Sequence, residues 1–336
     1  GSSPTVGSMS AVLDPFTLTP VFSARPWGGR RLADSGKALP DDGLIGEGWE
    51  VADLADDVVP YINDPRSRIA SGPLTGLSLA EVIAEHGYDL LGPIPPTPEG
   101  RFPLLVKLLD AREHLSVQVH PNEGYVAEHP GARLKSECWY VVEAELGAVM
   151  FHGFKPGLSR PQIASKIGTR DIVGTLRAIR PEPGSFHTVP PGLVHSLGAG
   201  LMVAEIQTPP DTTYRLYHWA VEYGREPRQL HAEEGAAAVL LDPPGAESLP
   251  PAQGRGVRLL TSNSHYWVRE HRTHTKIELA DLPGPRVMMV FRGGLTVGTL
   301  ALGQGGTAII PACALLTSLA ARRPSTILEI GLASQP

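Results

Sequence analysis

Gly184-Ser185-Phe186-His187-Thr188-Val189-Pro190-Pro191-Gly192-Leu193-Val194-His195 reads as a strand, a forced reversal and a returning strand. Gly184 opens the first strand, and Pro190, with no N–H to give to a ladder, ends it. Gly192 supplies the positive φ that a tight reversal needs. The chain then comes back with His195 directed inward, which makes that imidazole a candidate metal ligand.

Its partners lie upstream. Leu115-Ser116-Val117-Gln118-Val119-His120, followed by Pro121, alternates apolar and polar residues. At the two-residue period of a strand, Ser116, Gln118 and His120 share one face. Glu137 follows in Lys135-Ser136-Glu137-Cys138-Trp139-Tyr140, where Cys138 points away from the Glu137 side. One amide oxygen, one carboxylate and two imidazoles suit a borderline divalent metal such as zinc, with positions left for water or substrate. His114, His152 and His187 lack this pattern and read as surface or barrel-lining residues. His265, His271 and His274 show no paired acid.

The 336 residues allow about two domains, and a hydrophobic content of 42% predicts a sizeable core. Residues 1–8 read as an expression scar ahead of Met9. The net charge of −6, with no basic tract, argues against nucleic acid and anionic membranes as partners, while an anionic small substrate needs only a local basic cluster. Cys138 and Cys313 are too few and too far apart for a disulfide framework, so a reducing cytoplasm is expected. No apolar run approaches the ~20 residues of a membrane span. The 37 glycines and 33 prolines are spread along the chain, as many short strands joined by turns require.

Phe16 to Val21 reads as a strand running into the turn at Trp27-Gly28-Gly29, and Gly46-Glu47-Gly48-Trp49-Glu50-Val51 as a short strand whose acids could face solvent. Residues 78–92 predict a helix, with Ser78 and Glu81 as a capping box and Leu79, Val82, Ile83 and Leu90 at helical spacing. Phe102 to Leu109 is an apolar run interrupted by Lys107 and suits a buried strand. Residues 158–180 predict a second helix from the Ser159 cap, Pro161 and the stripe Ile163, Ile167, Ile172, Val173 and Leu176. The expected organisation is a metal-binding domain over 9–242, carrying these helices as insertions, and a β domain over 255–336.

The 184–195 spacing resembles the second metal motif of the cupin superfamily, and Gln118-Val119-His120 stands where the first motif has His-x-His. A narrower resemblance covers nearly the whole chain after Met9. It rests on Trp27-Gly28-Gly29, Gly46 to Glu50, Leu115 to Pro121, Lys135 to Tyr140, the 184–198 block, Glu205-Ile206-Gln207 and Asp211-Thr212-Thr213-Tyr214-Arg215-Leu216-Tyr217. Together these are similar to type I phosphomannose isomerase in its short bacterial form. The resemblance implies a mainly β, double-barrel cupin (jelly roll) with inserted α-helical segments. It implies an aldose–ketose isomerase that interconverts mannose 6-phosphate and fructose 6-phosphate through a cis-enediol on one zinc ion per chain. The zinc ligands fall on Gln118, His120, Glu137 and His195. The essential arginine falls on Arg215, an active-site lysine on Lys135, a substrate-contacting serine on Ser116 and a proton-transfer acid on Asp211. The implied partner is a sugar phosphate, and a monomer or weak homo-oligomer is expected.

Two departures lie beside Arg215. The family's Asp after Tyr-Arg-x-Tyr is His218 here, and Gln-Gln-Ser-Ser is replaced by Gln207-Thr208-Pro209-Pro210. They leave open a cupin isomerase of different aldose specificity, or a catalytically impaired sugar-phosphate-binding cupin. A metal-cupin oxygenase would give the Arg215 block no role. Finally, Gly305-Gly306-Thr307-Ala308-Ile309-Ile310-Pro311 repeats the spacing of 184–190, with Cys313 and Leu316 where Gly192 and His195 would stand. The tail therefore reads as a degenerate second barrel without metal ligands.

Overall fold

The computed structural model describes residues 13–59, 62–209, 212–321 and 323–333, so the segment read as an expression scar lies outside the described residues. The chain is mainly β: antiparallel sheets carry most of it and the helices are short. The described residues divide into two compact units, one drawn from 20–67 and 103–255, the other from 13–19, 68–102 and 256–333.

The unit of residues 20–67 and 103–255 is built from two antiparallel sheets. The larger has seven strands in the order Ser248–Leu249, Phe186–Val189, Glu137–Ala144, Leu201–Gln207, Leu105–Ala111, Ile45–Val51 and Val21–Gly29. The smaller has five, in the order Tyr214–Tyr217, Val117–Val119, His195–Leu197, Met150–Phe154 and Leu176–Ile179. Trp27, Leu109, Trp139, Val141, Met150, Val189, Leu193 and Leu197 from the two sheets form one buried cluster. A second cluster packs Val117, Val119 and Phe151 against Tyr125, Ile163, Ile172 and Trp219. The alternation read in 115–120 is thus resolved: Val117 and Val119 face that second core, which leaves Gln118 to the other face of the sheet.

The expected helix over 158–180 is corrected. Arg160–Ala164 is a single α-turn, Arg170–Thr175 is a 3-10 helix and Leu176–Ile179 is a strand. Gly168, at φ +83°, turns the chain out of the helix, and its N–H donates to Leu216 O instead. Ile163, Ile172 and Leu176 still bury together, because three short pieces laid on one sheet satisfy the same apolar spacing.

The other unit pairs a seven-stranded sheet with a four-stranded one around Met288, Val290, Leu295, Ala308, Ile310 and Ile327. The expected boundaries are corrected here too. Phe16–Thr19 pairs with Thr307–Ile310 (Phe16 opposite Ile309) and belongs to this unit. So does helix Leu79–Leu91, whose predicted capping box is present and whose Asp89 and Leu90 carbonyls accept the N–H groups of Cys313 and Ala312. The reading of His271 as lacking an acidic partner is also overturned. Its Nε2 lies 2.8 Å from Glu329 Oε2, and Arg286 Nε lies 3.1 Å from the other oxygen. Fifty-eight residues separate His271 from Glu329 in the chain, so only strand pairing brings them together. No helix among the described residues is long and apolar enough to cross a membrane.

Candidate metal centre and its cavity

His120, Glu137 and His195 bring one ligand atom each to within 4.8 Å of one another, all three buried. They come from different elements. Glu137 starts its strand in the seven-stranded sheet, His195 starts one in the five-stranded sheet, and His120 follows the strand Val117–Val119. Gln118 is His195's direct neighbour across the ladder. Gly192 has the left-handed backbone expected of it, φ +83°, and its N–H donates to His120 O, so the hairpin that delivers His195 is tied to the segment that delivers His120.

The hydrogen bonds set the imidazole tautomers. His195 Nδ1 lies 2.8 Å from Leu193 O, and His120 Nδ1 lies 3.0 Å from Thr212 O. A carbonyl only accepts, so each Nδ1 carries a proton, and in the neutral ring Nε2 then presents a lone pair. Those two nitrogens lie 3.3 Å and 3.5 Å from Glu137 Oε1, an oxygen buried without a hydrogen bond. Burial drives His195 down to about 3, against the pull of Glu137, so it is neutral at pH 7. Burial opposes charge on Glu137 as well. Against it the Lys135 ammonium, with Nζ 2.8 Å from Oε2, holds the carboxyl well below its usual range. Two imidazole nitrogens and an ionised oxygen facing one point form a donor set that fits a divalent cation. Gln118 Nε2 lies 3.1 Å from His195 Nε2. A half-turn of that amide presents Oε1 at the same place.

A cavity of about 270 Å³ opens beside this centre. Ser116, Gln118, Lys135 and Arg215 line it, so the structure brings these sequence-expected residues together; Asp211 lies outside the described residues. Ser116 Oγ is 3.3 Å from Gln118 Oε1. Arg215 sits opposite Gln118 across the ladder and donates through Nη1 to Gln229 O at 2.8 Å. Burial, with Arg228 nearby, lowers Arg215 to about 10, which leaves it charged, and its buried Nε makes no hydrogen bond.

Other lining residues had no assigned role in the sequence: Arg25, Glu47, Lys107, Glu205 and Arg228. Arg25 Nε and Trp49 Nε1 donate to the two oxygens of Glu47, at 2.6 and 2.7 Å. Lys107 Nζ lies 3.1 Å from Glu205 Oε1 and 3.9 Å from Glu47 Oε2. Burial would raise Glu47, but Lys107 and Arg25 hold it low; Glu205, raised by burial and by Glu137, is only partly offset by Lys107. The expectation that Glu47 and Glu50 could face solvent is overturned, since both are buried and Glu50 is paired with Lys37 at 2.5 Å. The one sequence signal for this network is Lys107 itself, a charge inside an apolar run. Five cations against two carboxylates line the cavity, so its field is positive in a chain of net charge −6, as an anionic ligand requires.

Comparison with known proteins now bears on this site. Residues 16–145 match the family model described as phosphomannose isomerase type I, catalytic domain. Mannose-6-phosphate isomerase of Streptococcus mutans is 32% identical over 308 residues, covering 89% of this chain and 92% of that protein. The chain belongs to the mannose-6-phosphate isomerase family. The crystal structure of mannose 6-phosphate isomerase from Bacillus subtilis superposes with a TM-score of 0.76 at 27% identity, over 95% of this chain and 99% of that one. A mannose 6-phosphate isomerase bound with zinc and yttrium shares the fold, with a TM-score of 0.74 at 16% identity, over 96% of this chain and 100% of that one. The double-barrel cupin expected from the sequence is therefore the fold, and the chain is an isomerase of this family.

Proposed function

We propose that the protein interconverts mannose 6-phosphate and fructose 6-phosphate at this cavity, with one zinc ion held by Gln118, His120, Glu137 and His195. The observation that carries the reading is the convergence of His120, Glu137 and His195 on one point, beside a positively charged cavity that Gln118 and Lys135 line. The family supplies the substrate, and the solved relative bound with zinc supports the choice of metal.

When bound, the ion supplies a Lewis acid that polarises sugar oxygens near C1 and C2. The remaining work falls to the chain. Arg215 places a guanidinium against charge that develops on the cis-enediol and on the phosphate, inside walls that limit screening. Lys135 and Ser116 donate to phosphate or sugar hydroxyls. The proton leaves C2 of the aldose and returns at C1 of the ketose, and Asp211 is the carboxylate assigned to move it. Trp139 Nε1 donates to Glu205 at 3.0 Å, and its ring stands edge-on to His195 with centroids 5.4 Å apart, which fixes the wall behind the centre.

The test is a coupled assay on mannose 6-phosphate with chelated and zinc-restored protein. Restored protein converts the substrate and prefers it to free mannose in kcat/KM. Arg215→Ala lowers kcat/KM by about 10²–10³-fold, the size of a lost charge-stabilising donor. No conversion by zinc-restored protein overturns the reading.

A further inference from the structure

Behind the hairpin that carries His195 lies a second cavity of about 420 Å³, within the same unit and sharing no lining residue with the first. His152, Lys155, Leu158, Arg177, Leu193 and Leu241 define its chemistry, and Asp242 also lines it. His152 is fully buried, and its Nε2 donates to Thr188 O at 2.7 Å, which makes Nδ1 an acceptor. Arg177 uses that acceptor: Nη2 donates to His152 Nδ1 at 2.9 Å and Nε donates to His152 O at 3.0 Å. The guanidinium is thereby fixed at the cavity, and Nη1 has no partner among the described residues. A cation held in place before a ligand arrives loses little freedom on binding.

Leu158, Leu193 and Leu241 add an apolar lining. Leu193 also ties the cavity to the metal centre, because its carbonyl accepts the His195 Nδ1 proton at 2.8 Å. His152 stands directly opposite His195 in the ladder. The two residues that shape the back of this cavity therefore both touch the strand that presents His195.

We propose that this cavity binds a small organic anion, a phosphate or carboxylate carried on an apolar body, and that its occupancy is felt at the His195 ring. The anionic head meets Arg177 with Lys155 adjacent, and the body lies on the leucines. A polyhydroxylated sugar phosphate would bury hydroxyls against those leucines without partners, so the ligand is chemically distinct from the substrate. The volume lies within the ~300–1,000 Å³ of ordinary small-molecule sites.

Phenyl phosphate is the probe, titrated by calorimetry into the full-length Arg215→Ala protein so that the first cavity lacks the guanidinium assigned to the sugar phosphate. One binding event is expected, with inorganic phosphate at least tenfold weaker. Leu241→Glu, at a position 38% exposed and so tolerant of a charge, weakens phenyl phosphate at least tenfold. Saturation shifts the ring NMR signals of His195, assigned by their loss in His195→Gln. The proposal is overturned if millimolar phenyl phosphate gives no binding, if Leu241→Glu leaves binding unchanged, or if the His195 signals do not move.

Discussion

Replacing Glu137 by Gln separates two contributions that this carboxylate makes. In metal-free protein it is the counter-charge of Lys135: Nζ and Oε2 are 2.8 Å apart, with both side chains at most 3% exposed. Removing one member of a buried pair costs about 3–5 kcal/mol, and a glutamine that can still accept a hydrogen bond belongs at the lower end, about 3 kcal/mol. His195→Gln behaves differently. His195, lowered to about 3, is neutral at pH 7, so its removal from metal-free protein forfeits only packing and two neutral hydrogen bonds that a glutamine can keep in part, about 1 kcal/mol. Zinc changes the comparison. An ion that binds only the folded state adds about 2.7 kcal/mol at a free concentration 100 times its dissociation constant. For a unit of this size that raises Tm by about 5–10 °C. Both variants lose that shift, whereas only Glu137→Gln melts markedly lower before zinc is added. Differential scanning fluorimetry with chelator and with buffered zinc reads all four states. A zinc-dependent shift that persists in Glu137→Gln, or equal metal-free stabilities for the two variants, refutes the reasoning.

Three further outcomes follow from the geometry. Lys107→Met leaves Glu205 buried without its cation and destabilises by about 3 kcal/mol, and adding Glu205→Gln recovers part of the loss; urea midpoints of the single and double variants check this. Gly28→Ala destabilises by more than 2 kcal/mol, because the new Cβ would stand 2.4 Å from Gly46 N, a backbone atom, and thermal melts show a cost far above that of an ordinary Gly→Ala change. His187 is lowered to about 4 by burial, then by His152 and Arg177, so the unfolded chain binds its proton first. Its stabilising contribution is complete above the unfolded value of about 6.5 and is lost as pH falls towards 4, up to about 3 kcal/mol in all; His187→Asn flattens that part of the pH dependence of the urea midpoint, and unchanged curvature would contradict the assignment.

The cluster of His120, Glu137 and His195 was legible because its residues sit at positions that backbone chemistry marks. A strand's period put Gln118 on one face, and the Pro190 stop and Gly192 turn fixed where His195 returns. The charged network beside it is not marked in this way. Lys107 lies opposite Trp49 on one side and Glu205 on the other, so three strands from distant parts of the chain build it. One sequence carries no register between such strands, and Glu47 looked like a residue that could face water. The same limit explains the unit boundaries: Phe16–Thr19 completes a sheet with Thr307–Ile310, nearly 300 residues away. Periodicity misled over 158–180 for a different reason. Apolar spacing records which side chains share a core, and that demand is met equally by one helix or by separate turns with Gly168 between them.

His218 shows how far a lost motif residue can be judged from chemistry. In sequence it stands where the family has a carboxylate, three residues past Arg215. In the structure His218 Nδ1 accepts the N–H of Ala220 at 3.1 Å, at the start of the short helix Ala220–Tyr223. That is a bond an aspartate oxygen can make in the same place, since N-terminal N–H groups of a helix are satisfied by nearby side-chain acceptors. The turn it secures is a demanding one. Trp219 holds φ +53°, and its ring packs against His114 at 4.4 Å between centroids, with Phe151 behind it. An imidazole acceptor here requires a neutral ring, and burial followed by the Arg215 charge lowers His218 in that direction. The departure therefore changes which atom holds the turn after the arginine strand, while Arg215 keeps its own anchors: its N–H on His231 Nδ1 at 3.1 Å and its Nη1 on Gln229 O.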